Sequence, residues 1–221
     1  MFITFEGIEG SGKTTQIKLL IPLLQANGYD CVFTREPGAT TIGNKIRAIL
    51  LDGAHTRMLP LTELLLYEAD RAQHVHEVIR PALAANRVVI SDRFFDATRV
   101  YQGYARGFDL KFIEEIERVV TGNLRPDLTI VLDLPVDSGL KRAWQRIKNQ
   151  STGVSEDRFE KEAIVFHEKV RHGYLALAAK DPERFRVIDA SRDRQAIHKE
   201  IAEIVFSLQG LKIRTNAINL F

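Results

Sequence analysis

Phe2-Ile3-Thr4-Phe5-Glu6-Gly7-Ile8-Glu9-Gly10-Ser11-Gly12-Lys13-Thr14-Thr15 opens the chain with an apolar run, a glycine-rich turn and a lysine followed by two threonines. Residues Gly7 to Thr14 match G-x-x-x-x-G-K-[ST], which forms a phosphate loop when it joins a strand to a helix. Both flanks are present, since Phe2 to Phe5 reads as a strand and the pattern from Lys13 onward as a helix. Glycines let successive backbone N–H groups turn inward around phosphates, and the helix start adds its positive dipole end. Gly7, Ile8, Glu9, Gly10, Ser11, Gly12, Lys13, Thr14 and Thr15 are therefore candidate nucleotide ligands. Lys13 is expected at the β- and γ-phosphates, and Thr14 offers a hydroxyl to Mg²⁺ with Thr15 beside it.

Such a metal also needs a carboxylate. Val88-Val89-Ile90-Ser91-Asp92 is an apolar run ending in an acid, and Asp133 near the end of Leu128 to Leu134 is its rival. Asp92 is favoured because Arg93 follows it, and a cation beside the metal acid serves phosphoryl transfer.

Working outward, β-rich runs alternate with longer helical patterns, the signature of βαβ units. The runs are Phe2 to Glu6, Cys31 to Thr34, Val88 to Ser91, Leu128 to Leu134 and Phe185 to Asp189. They predict an α/β fold with a five-stranded parallel sheet flanked by helices, whose ligands gather at the carboxyl ends of the strands. Lys13 to Asn27 is expected to be helical and to stop at Gly28. Leu61 to Asn86 carries an apolar stripe through Leu64, Leu65, Val75 and Val78, with Pro81 kinking or dividing it. Residues 1–221 read as one domain.

The totals narrow the function. Among 221 residues, 45% are hydrophobic and 27% charged, as in an ordinary globular domain. A net charge of +2 argues against a polybasic binder of nucleic acid or membrane. No apolar stretch approaches the ~18 residues of a membrane span, and a cleavable leader would take the phosphate loop with it. The single cysteine, Cys31, allows no intrachain disulfide and suits a reducing cytoplasm.

A phosphate loop alone does not make a kinase. The nearest approach to the guanine-reading N-K-x-D is Asn44-Lys45-Ile46-Arg47, with arginine where the acid belongs, and D-x-x-G is absent. Arg35 and Arg93 instead follow the second and third strands, with Arg71 on the helix between. Arginines there suit an acceptor that carries its own phosphate. Such a nucleophile is largely ionised at neutral pH, with a second pKa of about 6, so cations matter more than a general base.

At this point a resemblance is specific. Phe5 to Thr15, Thr34-Arg35-Glu36-Pro37-Gly38, Asp92-Arg93-Phe94, Tyr101-Gln102-Gly103 and Arg125-Pro126-Asp127-Leu128 are similar in order and spacing to bacterial thymidylate kinases, over about Phe2 to Asp189. The resemblance implies a fold of the P-loop nucleoside monophosphate kinase type with a lid. It also implies transfer from ATP to dTMP giving dTDP on the way to dTTP, Mg²⁺ dependence and a cytoplasmic homodimer. Carried over by residue, it makes Arg35 and Arg93 ligands of the dTMP phosphate and sets Glu9 near the deoxyribose 3′-hydroxyl. Tyr67 stacks on thymine and Arg71 donates to a base carbonyl, the two sharing a helix face. Thr98, Tyr101 and Gln102 line the floor, with Tyr101 crowding the sugar 2′ position.

The chain departs from some relatives. Gly10 and Ser11 leave the phosphate loop without an arginine, so a cation must come from the lid, a segment of about 142–158 whose tip, Lys148 to Asp157, is small and polar. Arg142, Arg146 and Arg158 flank that tip: Arg146 is the first choice for the transferred phosphate, and Arg142 packs against adenine. An inert surface loop is the alternative for the tip. Phe94 stands where many relatives have tyrosine. His74 and His76, two apart on a helix, point in different directions and cannot chelate one ion from one face. The tail, 210–221, carries no readable role. A kinase for another nucleoside monophosphate remains open, as does a P-loop module that binds ATP as a regulatory switch; Arg35, Arg71 and Arg93 argue against the switch.

Overall fold

A computed structural model describes residues 1–149 and 157–208. Five parallel strands form one sheet in the order β2-β3-β1-β4-β5. They are β1 (Phe2–Glu6), β2 (Cys31–Arg35), β3 (Val88–Asp92), β4 (Leu128–Asp133) and β5 (Phe185–Asp189). Central strands β1 and β4 are buried along nearly their whole length, as expected of a parallel sheet covered on both faces. Strands β2 and β3 each run one residue further than the sequence indicates, which makes Arg35 and Asp92 the last residues of their strands and register partners. Strand β4 ends one residue earlier, at Asp133. The chain crosses from one side of the sheet to the other at β1, so the loop after β1 occupies the switch point where α/β sheets bind ligands.

The helices are α1 (Lys13–Ala26), α2 (Thr41–Leu51), α3 (Pro60–His74), α4 (Arg80–Ala84), α5 (Phe95–Thr98), α6 (Leu110–Thr121), α7 (Val136–Lys148), α8 (Ile164–Lys180) and α9 (Arg194–Ser207). The single helix expected from Leu61 to Asn86 is interrupted. Helix α3 runs into a π-helical turn at Val75–Ile79, and α4 then restarts with Pro81 in its first turn. Proline there is costless, since first-turn N–H groups have no partner inside the helix. The widened turn takes up the break that Pro81 imposes. The apolar stripe also needs correction: Leu64 and Val75 are buried, but Leu65 is half exposed.

The main core joins the sheet to α1, α8 and α9 through Ile3, Phe5, Ile17, Leu20, Ile130, Val170 and Ile201. A smaller cluster under α4 packs Phe2, Val75, Ile79, Val89 and Phe94. Phe94 meets Phe2 edge-on at 5.0 Å, so the residue after Arg93 is anchored by aromatic packing. No helix among the described residues is long and apolar enough to cross a membrane. Most of the lid tip, together with the tail, lies outside the described residues.

Candidate active site

One cleft of about 1130 Å³ runs across the carboxyl ends of the strands. The phosphate loop forms its centre, Arg35, Tyr67 and Arg93 one half, and α7 with the turn between β5 and α9 the other. Lys13 is buried in the loop and donates from Nζ to the carbonyls of Gly7 and Ile8, each at 3.0 Å. Burial and Arg93 pull its ammonium down to about 8, while Asp92, Glu9 and Glu6 oppose the shift.

Thr14 donates from Oγ1 to Oδ2 of Asp92 at 2.8 Å. The strand register explains the meeting, because Asp92 pairs with Phe5 at the same level of the sheet, where the chain turns into the loop. Two neighbouring oxygen ligands beside a phosphate loop fit Mg²⁺, which takes a few carboxylate or hydroxyl ligands and completes its shell with phosphates and water. Asp133 is held elsewhere: Arg171 grips both its oxygens at 2.7 and 2.9 Å.

Arg93 is the hub. Its φ of 73° lies in the left-handed region, unusual for a residue with a side chain. Three hydrogen bonds hold the bend: Arg93 N to Phe5 O, Phe94 N to Glu6 Oε1, and Ser91 Oγ to Arg93 O. The bend turns the guanidinium into the cleft, where it donates to Tyr174 and Tyr101 hydroxyls at 2.9 and 3.0 Å and to Glu9 Oε1 at 3.0 Å. Burial disfavours its charge, but Tyr101, Tyr174, Glu9 and Glu6 hold it well above the usual arginine value.

Burial alone would push the Glu9 carboxyl up. His167, Arg93, Lys13 and Tyr101 together hold it far below the usual carboxylate range. Glu6 lies deeper, accepting from Phe94 N and the Tyr174 hydroxyl, and burial pushes it up to about 8. Glu6, His167 and Tyr174 are not among the site residues expected from sequence. The last two lie on the buried side of α8, where polar residues gave no signal, because polar positions at helical spacing ordinarily mark the solvent face. The turn after β5 was also missed. Arg192 and Asp193 in that turn, with Arg194 and Ile197 at the start of α9, line the cleft at a strand end as charged as the others.

The structure brings Glu9, Gly10, Ser11, Gly12, Lys13, Thr14, Thr15, Arg35, Tyr67, Asp92, Arg93, Thr98, Tyr101, Gln102, Arg142 and Arg146 to the cleft wall. Gly7 and Ile8 sit beneath it and serve through their carbonyls. Arg71 does not reach the wall. It is only 1% exposed, donating from Nε to Glu36 at 2.9 Å, from Nη1 to Glu68 and from Nη2 to Thr98 at 2.9 Å. Two buried carboxylates draw it under the floor, where it fixes Glu36 and Thr98 beside the cleft. Arg158 is also drawn away, bonded to Leu50 O and paired with Glu63 at 2.7 Å. Arg146 reaches Glu160 at 3.3 Å from a half-exposed position. His74 turns inward to Glu36 and Thr34, whereas His76 faces solvent.

The loop and α7 touch through glycine. A Cβ on Gly139 would stand 2.6 Å from Glu9 O and 2.7 Å from Ile8 Cδ1. At Gly10, whose φ of 71° already disfavours a side chain, a Cβ would meet the Gly139 carbonyl closer still. The phosphate loop therefore rests backbone to backbone on the helix that carries Arg142 and Arg146, and Gly10 has no room for an arginine.

A sequence profile described as thymidylate kinase matches residues 5–201. The curated thymidylate kinase of Desulfosudis oleivorans is 57% identical over 190 residues, covering 86% of this chain and 89% of that protein. That of Desulforapulum autotrophicum is 56% identical over 213 residues, covering 96% and 94%. Among solved structures, thymidylate kinase from Ehrlichia chaffeensis superposes with a TM-score of 0.73 at 33% identity, covering 93% of this chain and 98% of that one. With sequence, sheet order and cleft in agreement, the chain belongs to the thymidylate kinase family.

Proposed function

We infer that this protein transfers the γ-phosphoryl group of ATP to dTMP, releasing ADP and dTDP. The observation that carries the reading is the position of Arg93. It lies between a phosphate loop with its metal-type pair Thr14 and Asp92, and a second half-cleft lined by Arg35, Tyr67, Thr98, Tyr101 and Gln102. Two phosphate-bearing ligands meeting there bring like charges together, and Arg93, Lys13 and Arg35 offset their repulsion. Loop N–H groups from Glu9 to Thr15 cradle the ATP phosphates above Gly7 and Ile8, and Arg142 with Ile197 flanks the adenine. Thr14 and Asp92 would hold Mg²⁺, which would supply positive charge against the phosphates during transfer.

On the acceptor side, Arg35 and Arg93 bind the dTMP phosphate, Tyr67 stacks on the base, and Tyr101 crowds the 2′ position in favour of deoxyribose. Glu9 faces the 3′-hydroxyl. Arg71 acts beneath them, keeping Thr98 and Glu36 in position. Arg146 meets the transferring group from α7 as the segment of about 142–158 closes as a lid. We also propose a homodimer, because Leu61 and Leu65 on α3 and Phe112 and Val119 on α6, two helices that pack together, expose apolar side chains. The half-buried thiol of Cys31, free of any disulfide, suits the cytoplasm.

A panel of nucleoside monophosphates assayed for ATP-dependent phosphorylation tests the specificity. Preference for dTMP over dUMP, dCMP, dGMP and dAMP in kcat/KM is expected. A higher kcat/KM for any of the others would reassign the acceptor.

A further inference from the structure

His167 is fully buried on the inner face of α8, and nothing in the phosphoryl-transfer scheme uses it. Its Nδ1 lies 3.3 Å from Oε2 of Glu9. The two oxygens of that carboxylate differ sharply in their surroundings. Oε1 accepts from Arg93 Nη2 at 3.0 Å and from the Tyr101 hydroxyl. Oε2 is buried and has no aligned hydrogen bond, and neither ring nitrogen of His167 has one among the described residues. Two buried polar groups that face each other at this distance without alignment are costly unless the pair tightens in a working state. Hydrogen bonds in active sites commonly do so when substrate is seated.

We propose that His167 is the positioning residue of Glu9: it holds Oε2 from behind while Arg93 and Tyr101 hold Oε1, and so sets the preference for an acceptor nucleotide that carries a 3′-hydroxyl. The proposal rests on the reading of Glu9 as the group that faces the sugar. A carboxylate gripped at one oxygen only can swing about its last torsion, which is broad and weakly staggered. Gripped at both, it presents a fixed acceptor direction to a hydroxyl donor. The helix supplies the rigidity. Tyr174, seven residues on, anchors the same stripe by bonding Arg93 and Glu6, so α8 supports Glu9 directly through His167 and indirectly through Arg93.

The test compares kcat/KM for dTMP and for its 3′-deoxy analogue in the wild type, His167→Leu, His167→Asn and Glu9→Ala, with the KM for ATP measured alongside. His167→Leu is expected to cut the preference for dTMP by about tenfold, the weight of one hydrogen bond to a charged group, while the KM for ATP stays unchanged. His167→Asn, whose amide nitrogen sits near the Nδ1 position, should recover most of the preference. His167→Gln keeps an amide in the space but carries it past that position, and gives the same comparison as leucine if His167→Leu does not fold. Loss of the preference in Glu9→Ala together with its retention in His167→Leu or His167→Gln would overturn the proposal and leave the reading of Glu9 standing. Retention of the preference in Glu9→Ala would overturn that reading, and the proposal with it.

Discussion

At the scale of single residues, the half of the cleft lined by Arg35, Tyr67 and Arg93 is organised by buried charges that hold one another. Glu36 accepts from Arg71 and His74, and Asp70 accepts from Gly38 N at 3.0 Å, so the loop after β2 that follows Arg35 is pinned from below. Asp70 is fully buried, and that burial, reinforced by Glu36, pushes its carboxyl up to about 7. An acid whose pKa is raised on folding contributes stability at pH below its unfolded value, and that contribution is lost as pH rises through the folded one. Wild type should therefore lose about 1.4 kcal/mol relative to Asp70→Asn between pH 6 and pH 8, measured by denaturant unfolding at both values. A wider deficit for the variant at pH 8 than at pH 6 would show that ionised Asp70 is stabilising instead. These depths could not be read from sequence. The spacing of Tyr67 and Arg71 gives a shared helix face, but Glu36, a distant residue that follows β2, joins Glu68 in holding Arg71 under the floor.

At the scale of elements, sequence was most informative where one short motif dictates both conformation and chemistry. The phosphate loop, the acid ending β3 and the strand alternation were legible because glycine content, apolar runs and chain punctuation are local properties. Helix α8 was less so, since its inward face carries His167 and Tyr174, and polar residues usually mark the solvent side. The contact between loop and α7 was not legible at all, because Gly10 and Gly139 are far apart in the chain and each looks permissive alone. It carries a prediction. Gly139→Ala should press on Glu9 O and Ile8, an overpacking of about 1–3 kcal/mol, and should raise the KM for ATP at least ~10-fold while moving the KM for dTMP much less. Equal rises in both constants would mean that the contact supports the fold generally and not the phosphate loop. The same helix carries Arg146, for which the loop, closed to arginine at position 10, offers no substitute. Arginine fingers contribute about 10³–10⁵-fold to kcat, so Arg146→Ala should lower kcat by at least ~100-fold with little change in dTMP affinity. Near-normal turnover in that variant, with loss in Arg142→Ala, would move the role one helical turn back along α7.

At the scale of the whole molecule, the sheet order makes the two halves of the cleft communicate. Strand β1 ends in the phosphate loop, and β3 beside it ends in Asp92, with Arg93 next, the residues proposed above for metal and acceptor. The two strands are hydrogen-bonded neighbours, about 4.8 Å apart, so the phosphate loop and Arg93 stand side by side at their carboxyl ends. A protein that only sensed ATP would have no use for Arg93 turned by a left-handed backbone into the half of the cleft lined by Arg35 and Tyr67. The most direct test follows the phosphorus atom itself, with enzyme, Mg²⁺, dTMP and ATP labelled at the γ-phosphate, in wild type and in Lys13→Ala. The account predicts that wild type moves the label into the β-phosphate of dTDP only when dTMP is present, and that Lys13→Ala moves almost none; label appearing as inorganic phosphate at the same rate with or without dTMP would contradict it.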